Sequence, residues 1–275
     1  MQTLTGIIDG KLRLLPPWLL LSIYLIVLGL LAAISFRRRW LTLSGAISAV
    51  VLGLVVLWMG GVSAFLVFLF FFLSSSVISK FAKEGERIEK KGSRRDMVQV
   101  LANGLPAALC LLAVNFPHLR IPALTAFSAA TAEATADTWS GAFGMMSRQE
   151  PVSIITFTKV PKGISGGVTA YGFLGGLVAS VLVATMAMGT LALSLGVASV
   201  VAGSAFLGSV IDSILGATVQ VQYRNKEGRA TEKKEEDGER NERIRGIPGF
   251  DNDMVNLVSG ILSASLAFFL ATVVS

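Results

Sequence analysis

Two aspartates set the chemical possibilities of this 275-residue chain. Asp137 and Asp212 each lie inside an apolar stretch, AEATADTWSGAF and GSVIDSILGA. A carboxylate within a hydrophobic span costs roughly 2.5 to 3.5 kcal/mol on insertion scales, which makes each a functional-site candidate by default. Gly208, Asp212 and Gly216 follow at four-residue spacing, so small residues flank Asp212 on one helical face and let another helix approach closely. Glu133 precedes Asp137 by one turn and could share its face as a partner or proton-sharing group.

The accompanying polar residues point the same way. Asp251, Asn252, Asp253 and Asn256 open the last apolar stretch, and Gln99 and Asn103, four apart, open another. With one cysteine (Cys110) and one histidine (His118) in the whole chain, zinc sites and Ser-His-Asp chemistry lack their usual residues. Carboxylates and amides form a hard oxygen set suited to Mg²⁺, an ion typically shared with substrate phosphates. The metal candidates are Asp137, Asp212 and Asp251. Between the two buried aspartates runs Lys159-Val160-Pro161-Lys162-Gly163-Ile164-Ser165-Gly166-Gly167, directly before an apolar run. Glycines there permit close backbone approach, a helix N-terminus favours an anion, and lysines add point charges. Lys159 and Lys162 are therefore candidates for the chemistry itself. Gly163, Ser165, Gly166 and Gly167, with Asn103, Asn252, Asn256 and Lys80, are candidates for holding phosphate or nucleotide.

These residues need a membrane scaffold. The chain is 53% hydrophobic and 15% charged, with a mean hydropathy of +0.67. That composition is outside the soluble range and indicates an all-α, polytopic bundle. A span needs about 20 apolar residues. Eight are expected: Pro16–Phe36, Leu41–Trp58, Val62–Ile78, Met97–Val114, Pro122–Gly141, two halves of the run from Gly166 to Val219 divided near Gly189 to Gly196, and Asp253–Val274. The first is expected to be retained, because it meets Arg37-Arg38-Arg39 and no small-residue cleavage site. Met59-Gly60-Gly61 makes a tight hairpin of the second and third, whose run of phenylalanines (Phe65, Phe68, Phe70, Phe71, Phe72) is expected to face lipid. Within one membrane domain (1–275), residues 80–96 form a charged connection, 142–165 the phosphate-site connection and 221–248 a charged, mobile loop.

Charge orients the bundle. The odd-numbered connections hold three, seven, three and eight Lys or Arg, together 21 of the 24, and the other face keeps only Lys11, Arg13 and Arg120. Positive loops stay cytoplasmic, so both termini are expected outside. The net charge of +6 then reports membrane orientation and no nucleic-acid partner. Asp137, about four residues from its helix end, lies roughly 6 Å deep, and Asp212, about seven from its own, roughly 10 Å. Polar residues from four helices thus meet at the cytoplasmic leaflet, where a cytosolic reactant can reach a membrane-resident one.

The same residues carry a resemblance. SSSVISKF (74–81), VQVLANG (98–104), ADTWS (136–140), KVPKGISGGVTAYG (159–172), GSVIDSILGAT (208–218) and DNDMVN (251–256) resemble the signature blocks of the transmembrane protein 19 family. They stand in the family's order and cover nearly the whole chain from Ser44. The family's plant and cyanobacterial members include the phytyl-phosphate kinase of vitamin E biosynthesis, and the dolichol and phytol kinases are more distantly similar. The resemblance implies a kinase dependent on CTP or another nucleoside triphosphate that converts an isoprenyl monophosphate, phytyl or geranylgeranyl, to the diphosphate. Asp137, Asp212, Asp251, Asn252 and Asn256 match the family's pattern. Ser165 stands where many relatives carry asparagine, and Asp253 where some do.

On this reading Mg²⁺ bridges the nucleotide to Asp137 and Asp212, with Asp251, while Lys159, Lys162 and the glycine turn neutralise phosphate charge. The acceptor phosphate is already anionic, so catalysis is alignment and charge stabilisation. The expected partners are the prenyl monophosphate, the nucleotide and membrane lipids, with oligomerisation left open. Intramembrane carboxylates and glycine-broken helices equally suit a transporter of ions or small solutes. A lipid-phosphate cytidylyltransferase would share nucleotide, metal and leaflet.

Overall fold

The computed structural model describes residues 3–82, 94–236 and 238–274. A short helix, α1 (Leu4–Leu12), precedes α2 (Pro17–Arg37) and α3 (Leu43–Phe81). At 1.5 Å per residue, the 39 residues of α3 would extend about 58 Å, roughly twice a bilayer's hydrocarbon thickness. The helix instead breaks at Gly61, the one non-helical residue within it (φ 72°, ψ −172°), and doubles back. Lys80 at its far end lies over the Trp40 ring just before its start, 5.3 Å from the centroid. The hairpin expected at Met59-Gly60-Gly61 is present.

Then come α4 (Met97–Cys110), α5 (Arg120–Met146), α6 (Ala170–Leu191), α7 (Leu195–Thr218) and α8 (Asn252–Val274). Side-chain caps fix the starts of α4, α6 and α7, as caps commonly do. Asp96 and Gln99 form a reciprocal capping box on α4, while Thr169 and Ser194 cap α6 and α7. The long apolar run divides at Ala192, which adopts the left-handed conformation between α6 and α7. Among the described residues, α2, α3, α6, α7 and α8 are long and apolar enough to cross a membrane, and the chain is a polytopic helical membrane protein.

Helix α5 is the axis. It packs against α3, α4, α6, α7 and α8, and every residue from Pro122 to Ala136 is buried. Alanine, serine and threonine dominate that stretch, and small residues are what allow five helices to close on one. Their hydroxyls are satisfied within the helix, as when Thr131 and Thr135 donate to Phe127 and Thr131 carbonyls (2.8 and 2.7 Å).

Four expectations need correction. Phe65, Phe68 and Phe71 are buried inside the bundle and do not face lipid; Phe68 contacts Phe127 of α5 with ring centroids 6.5 Å apart. The helix carrying Asp137 runs on to Met146, so Asp137 lies nine residues from its end, or about 13 Å. Residues 142–146 accordingly belong to α5 and not to the connection. Within that connection β1 (Val152–Ser153) pairs antiparallel with β2 (Gly167–Val168). Finally, much of 221–248, expected as a loop, forms short antiparallel strands: β3 (Gln222–Arg224) lies between β4 (Ala230–Thr231) and β7 (Glu242–Arg245), and β5 (Glu235–Glu236) pairs with β6 (Glu239–Arg240). Charge density hides these strands because most of their charged side chains are exposed, while Gln222, Thr231 and Glu232 are buried beneath and Arg245 turns inward to the Gly216 carbonyl (3.0 Å). Most of the charged connection 80–96 lies outside the described residues.

Candidate functional site

At one end of the bundle α5 and α7 bring two carboxylates together, with α8 packed against them. Asp137 and Asp212 are within hydrogen-bonding reach of each other, and Glu133 lies one turn deeper. Asp212 is 8% exposed. Ser259 Oγ donates to Asp212 Oδ2 (3.0 Å). The Asn256 amide, oriented by its neighbours, donates to the same oxygen (3.1 Å) and to the Asn252 carbonyl (3.1 Å), while its own oxygen accepts from Asn103 Nδ2 (3.3 Å). Asn103 also donates to the Gln99 carbonyl (2.9 Å). Helices α4, α7 and α8 are thereby joined in one polar network against α5.

Glycines make this closeness possible. A Cβ at Gly208 would stand 2.6 Å from Glu133 Cγ and 2.8 Å from Ser263 Cβ, so only glycine lets α5 and α8 meet α7 there. One turn past Asp212, the place of a Cβ on Gly216 is taken by Ser165 of the connection, at 3.0 Å. Gly166 has φ +81°, and a Cβ on it would run into the Ala217 backbone, 2.6 Å from both Cα and N. This turn is pressed onto the end of α7, where no side chain fits and the dihedral itself favours glycine.

Above the carboxylates opens a cleft of about 1510 Å³, open water at its mouth included, whose lining combines Asp137 and Asp212 with Asn103, Lys162, Asn252 and Asn256. The turn from Gly163 to Thr169 forms one wall, and Thr138, Ser140, Ser213 and Asp253 are also in the lining. Most of the residues singled out from sequence therefore meet here.

Lys159 does not. It is 77% exposed and paired with Glu150 Oε2 at 2.5 Å, because its residue bridges back to Val152 and directs the side chain outward. This pairing raises the Lys159 pKa and lowers that of Glu150 through a direct charged hydrogen bond. Lys80 also stays outside, donating to the Arg38 carbonyl (3.5 Å) over Trp40. Asp251 is replaced in the cleft by Asp253; its Oδ1 instead accepts from the Met254 N–H (3.3 Å) at the start of α8, the usual place for a capping aspartate. Ser165 is a positioning residue. Its N–H donates to Glu232 Oε1 (3.1 Å) and its Oγ accepts from Gln220 Nε2 (2.9 Å). The Gly167 N–H likewise donates internally, to the Ile164 carbonyl (3.0 Å), so Lys162, bonded to the Ser147 carbonyl, is the lysine the turn presents.

Glu232 and Arg95 are functional candidates that the sequence does not single out. Glu232 is one acid in the run Lys233-Lys234-Glu235-Glu236 and its neighbours, with nothing to distinguish it, yet it is 4% exposed and holds the connection in place. Arg95 lines the cleft from within a run of basic residues that conceals it.

The donor set fits a hard divalent cation in kind. Glu133 Oε1 is buried without a hydrogen-bond partner among the described residues, and two carboxylates in contact need either a shared proton or compensating positive charge. Among the described residues, however, no three His, Cys, Asp or Glu gather closely enough to hold an ion by themselves. The Asp137, Asp212 and Asp251 triad is thus not assembled. Two carboxylates suffice for Mg²⁺ where waters and substrate phosphates complete its shell.

Comparison with known proteins places this chain in a family. The family model described as "Integral membrane protein DUF92" matches residues 26–264. Protein PGR of Arabidopsis thaliana is 31% identical over 88% of the chain and 92% of its own length. An uncharacterized membrane protein of Synechocystis is 29% identical over 91% and 90%, and one of Methanocaldococcus jannaschii is 30% identical over 59% and 68%. No solved structure matches. The chain belongs to the DUF92 family of integral membrane proteins, the transmembrane protein 19 group its signature blocks resemble.

Proposed function

We propose that this protein is a membrane phosphotransferase, moving the terminal phosphoryl group of CTP or another nucleoside triphosphate onto an isoprenyl monophosphate such as phytyl or geranylgeranyl phosphate. The observation that carries this reading is the contact of Asp137 with Asp212 beneath a polar cleft that also receives Lys162. Such a pair suits a cation arriving with its phosphates. On this reading the bundle crosses the membrane eight times with both termini outside, and the cleft faces the cytoplasm, the side on which the basic residues gather.

Asp137 and Asp212 would hold Mg²⁺, which when bound neutralises charge on the transferring phosphoryl group. The remaining work falls to the chain. Asn256 and Ser259 fix Asp212 through its Oδ2. Lys162 meets phosphate oxygens as a point charge. Asn103 and Asn252 offer amide groups at the cleft wall. The acceptor is an anionic phosphate oxygen, so no strong base is needed, and alignment with charge stabilisation provides the catalysis.

The test is an assay of purified protein in detergent with Mg²⁺, CTP and geranylgeranyl or phytyl monophosphate, beside Asp137→Asn and Asp212→Asn. Prenyl diphosphate and CDP formed by the wild type, and lost in both folded variants, are the expected outcome. Release of pyrophosphate with a CDP-linked lipid would instead identify a cytidylyltransferase. No turnover of any prenyl monophosphate by folded protein would end the kinase reading in favour of transport.

A further inference from the structure

A second cavity adjoins the first. Between α2, both halves of α3 and the start of α4 lies a cleft of about 670 Å³ walled by Leu28, Leu31, Ala49, Val50, Phe68 and Leu69. Its lining is almost wholly apolar until it reaches Arg95, Gln99 and Asn103, and these three residues also line the polar cleft. The two spaces therefore share one polar wall, a junction formed by these three residues.

That junction is built. The Thr42 N–H donates to the Arg95 carbonyl (3.0 Å) and the Arg95 N–H to the Trp40 carbonyl (2.9 Å), which fixes Arg95 against the start of α3. Its guanidinium lies over the Phe71 ring, 5.9 Å from the centroid, at the boundary between apolar and polar lining. Gln99 uses its side-chain oxygen in the capping box, accepting from the Asp96 N–H (3.2 Å). Asn103 connects through Asn256 to Asp212. An anion held at Arg95 and Gln99, beside Asn103, would thus adjoin the carboxylate pair, with an apolar space behind it.

We propose that this apolar cleft holds the hydrocarbon chain of the lipid monophosphate, with Arg95 and the Gln99 amide nitrogen receiving its phosphate beside Asn103 and presenting it to the Asp137–Asp212 end. The proposal rests on the phosphotransfer reading for its substrate, but the binding it describes does not require turnover. Arginine suits this place because its planar fork pairs with phosphate oxygens while its face stacks on an aromatic ring. The cleft lies between α2 and α3, so a chain can reach it from the membrane side while the nucleotide comes through the polar mouth.

Two experiments on the full-length protein test this. First, Ala49→Phe narrows the cleft midway. It is expected to lower kcat/KM for geranylgeranyl monophosphate about tenfold, the scale of displacing a few buried methylenes, and to change that for geranyl monophosphate less than about twofold. Equal losses for both lengths in folded protein would overturn the proposal. Second, geranylgeranyl monophosphate carrying a terminal diazirine is expected to label peptides of α2 and α3 that contain Leu28, Leu31 and Phe68. Labelling should be competed by unmodified monophosphate and reduced in Arg95→Gln. Labelling spread over the outer helix faces, or reproduced by a diazirine phosphatidylcholine, would mean that the cleft holds bilayer lipid and would overturn it. Site-specific labelling without turnover would leave this inference standing while the phosphotransfer reading fell.

Discussion

Each end of the bundle sets a carboxylate beside a cavity, and the two are treated differently. At the end formed by α1 and the Gly61 turn, Asp9 accepts from the Val62 N–H (2.6 Å), the Ser63 N–H (3.2 Å) and the Ser63 hydroxyl (2.7 Å). Its charge meets the open N-terminus of the second half of α3, so it acts as a helix cap. The neighbouring cavity, about 1160 Å³, adds Arg13 and Arg120. At the other end Asp212 has side-chain donors from Asn256 and Ser259 but also faces Asp137. The first carboxylate completes a fold, while the second stands beside another carboxylate, where the proposed function would bring in a cation. Both ends are polar, roomy and lined by basic residues, so these properties alone do not mark a site; the second carboxylate facing Asp212 distinguishes its end.

The comparison is sharpest where the paired charge is removed. Asp212→Asn or Asp137→Asn is expected to lower phosphotransfer by about 100-fold or more, the scale of losing a charge-stabilising group, with the thermal midpoint held or raised. A fall in turnover that only tracks unfolding would erase the distinction between the two ends. Next is Gly166→Ala, which combines a left-handed φ with collision against the Ala217 backbone. Strain of this kind costs of order 1–3 kcal/mol, and we expect about a tenfold loss of activity from displacement of the turn. Lys162→Met should raise KM for the phosphate substrates about tenfold, the scale of one charged hydrogen bond, whereas Lys159→Ala should change no kinetic constant by more than about twofold. Matching effects from the two lysines would show that the outward position of Lys159 is not its working one. Smallest in activity is Asp9→Ala. It should lower stability by about 1 kcal/mol, as lost caps do, with kcat nearly unchanged, read from thermal melts beside the assay.

Hydropathy made the helices legible, and the glycines made the hairpin so. Gly60-Gly61 marks the reversal in α3, and the carboxylates at 137 and 212 stand out against alanine and isoleucine. The inward face of Phe65, Phe68 and Phe71 was not legible, because lipid tails and a membrane protein's interior are equally apolar. Nor was the separation of Lys162 from Lys159, which depends on the bridge of Lys159 to Val152. Arg95 and Glu232 were concealed by their own neighbours, since a charged run does not disclose which member turns inward. Such assignments are made by pairing between distant segments, as when Trp40 and Thr42 fix Arg95.

The small, hydroxyl-rich axis of the bundle has a consequence for how the protein is made. Helix α5 carries Glu133 and Asp137 and is not among the helices apolar enough to cross a membrane by themselves. A translocon that sorts segments by hydrophobicity would release it poorly alone, so α5 is expected to enter the bilayer with its neighbours already in place. A glycosylation-mapping assay would then find α5 inserting efficiently only when α3 and α4 precede it. Efficient insertion of α5 in isolation would show that the axis needs no such escort.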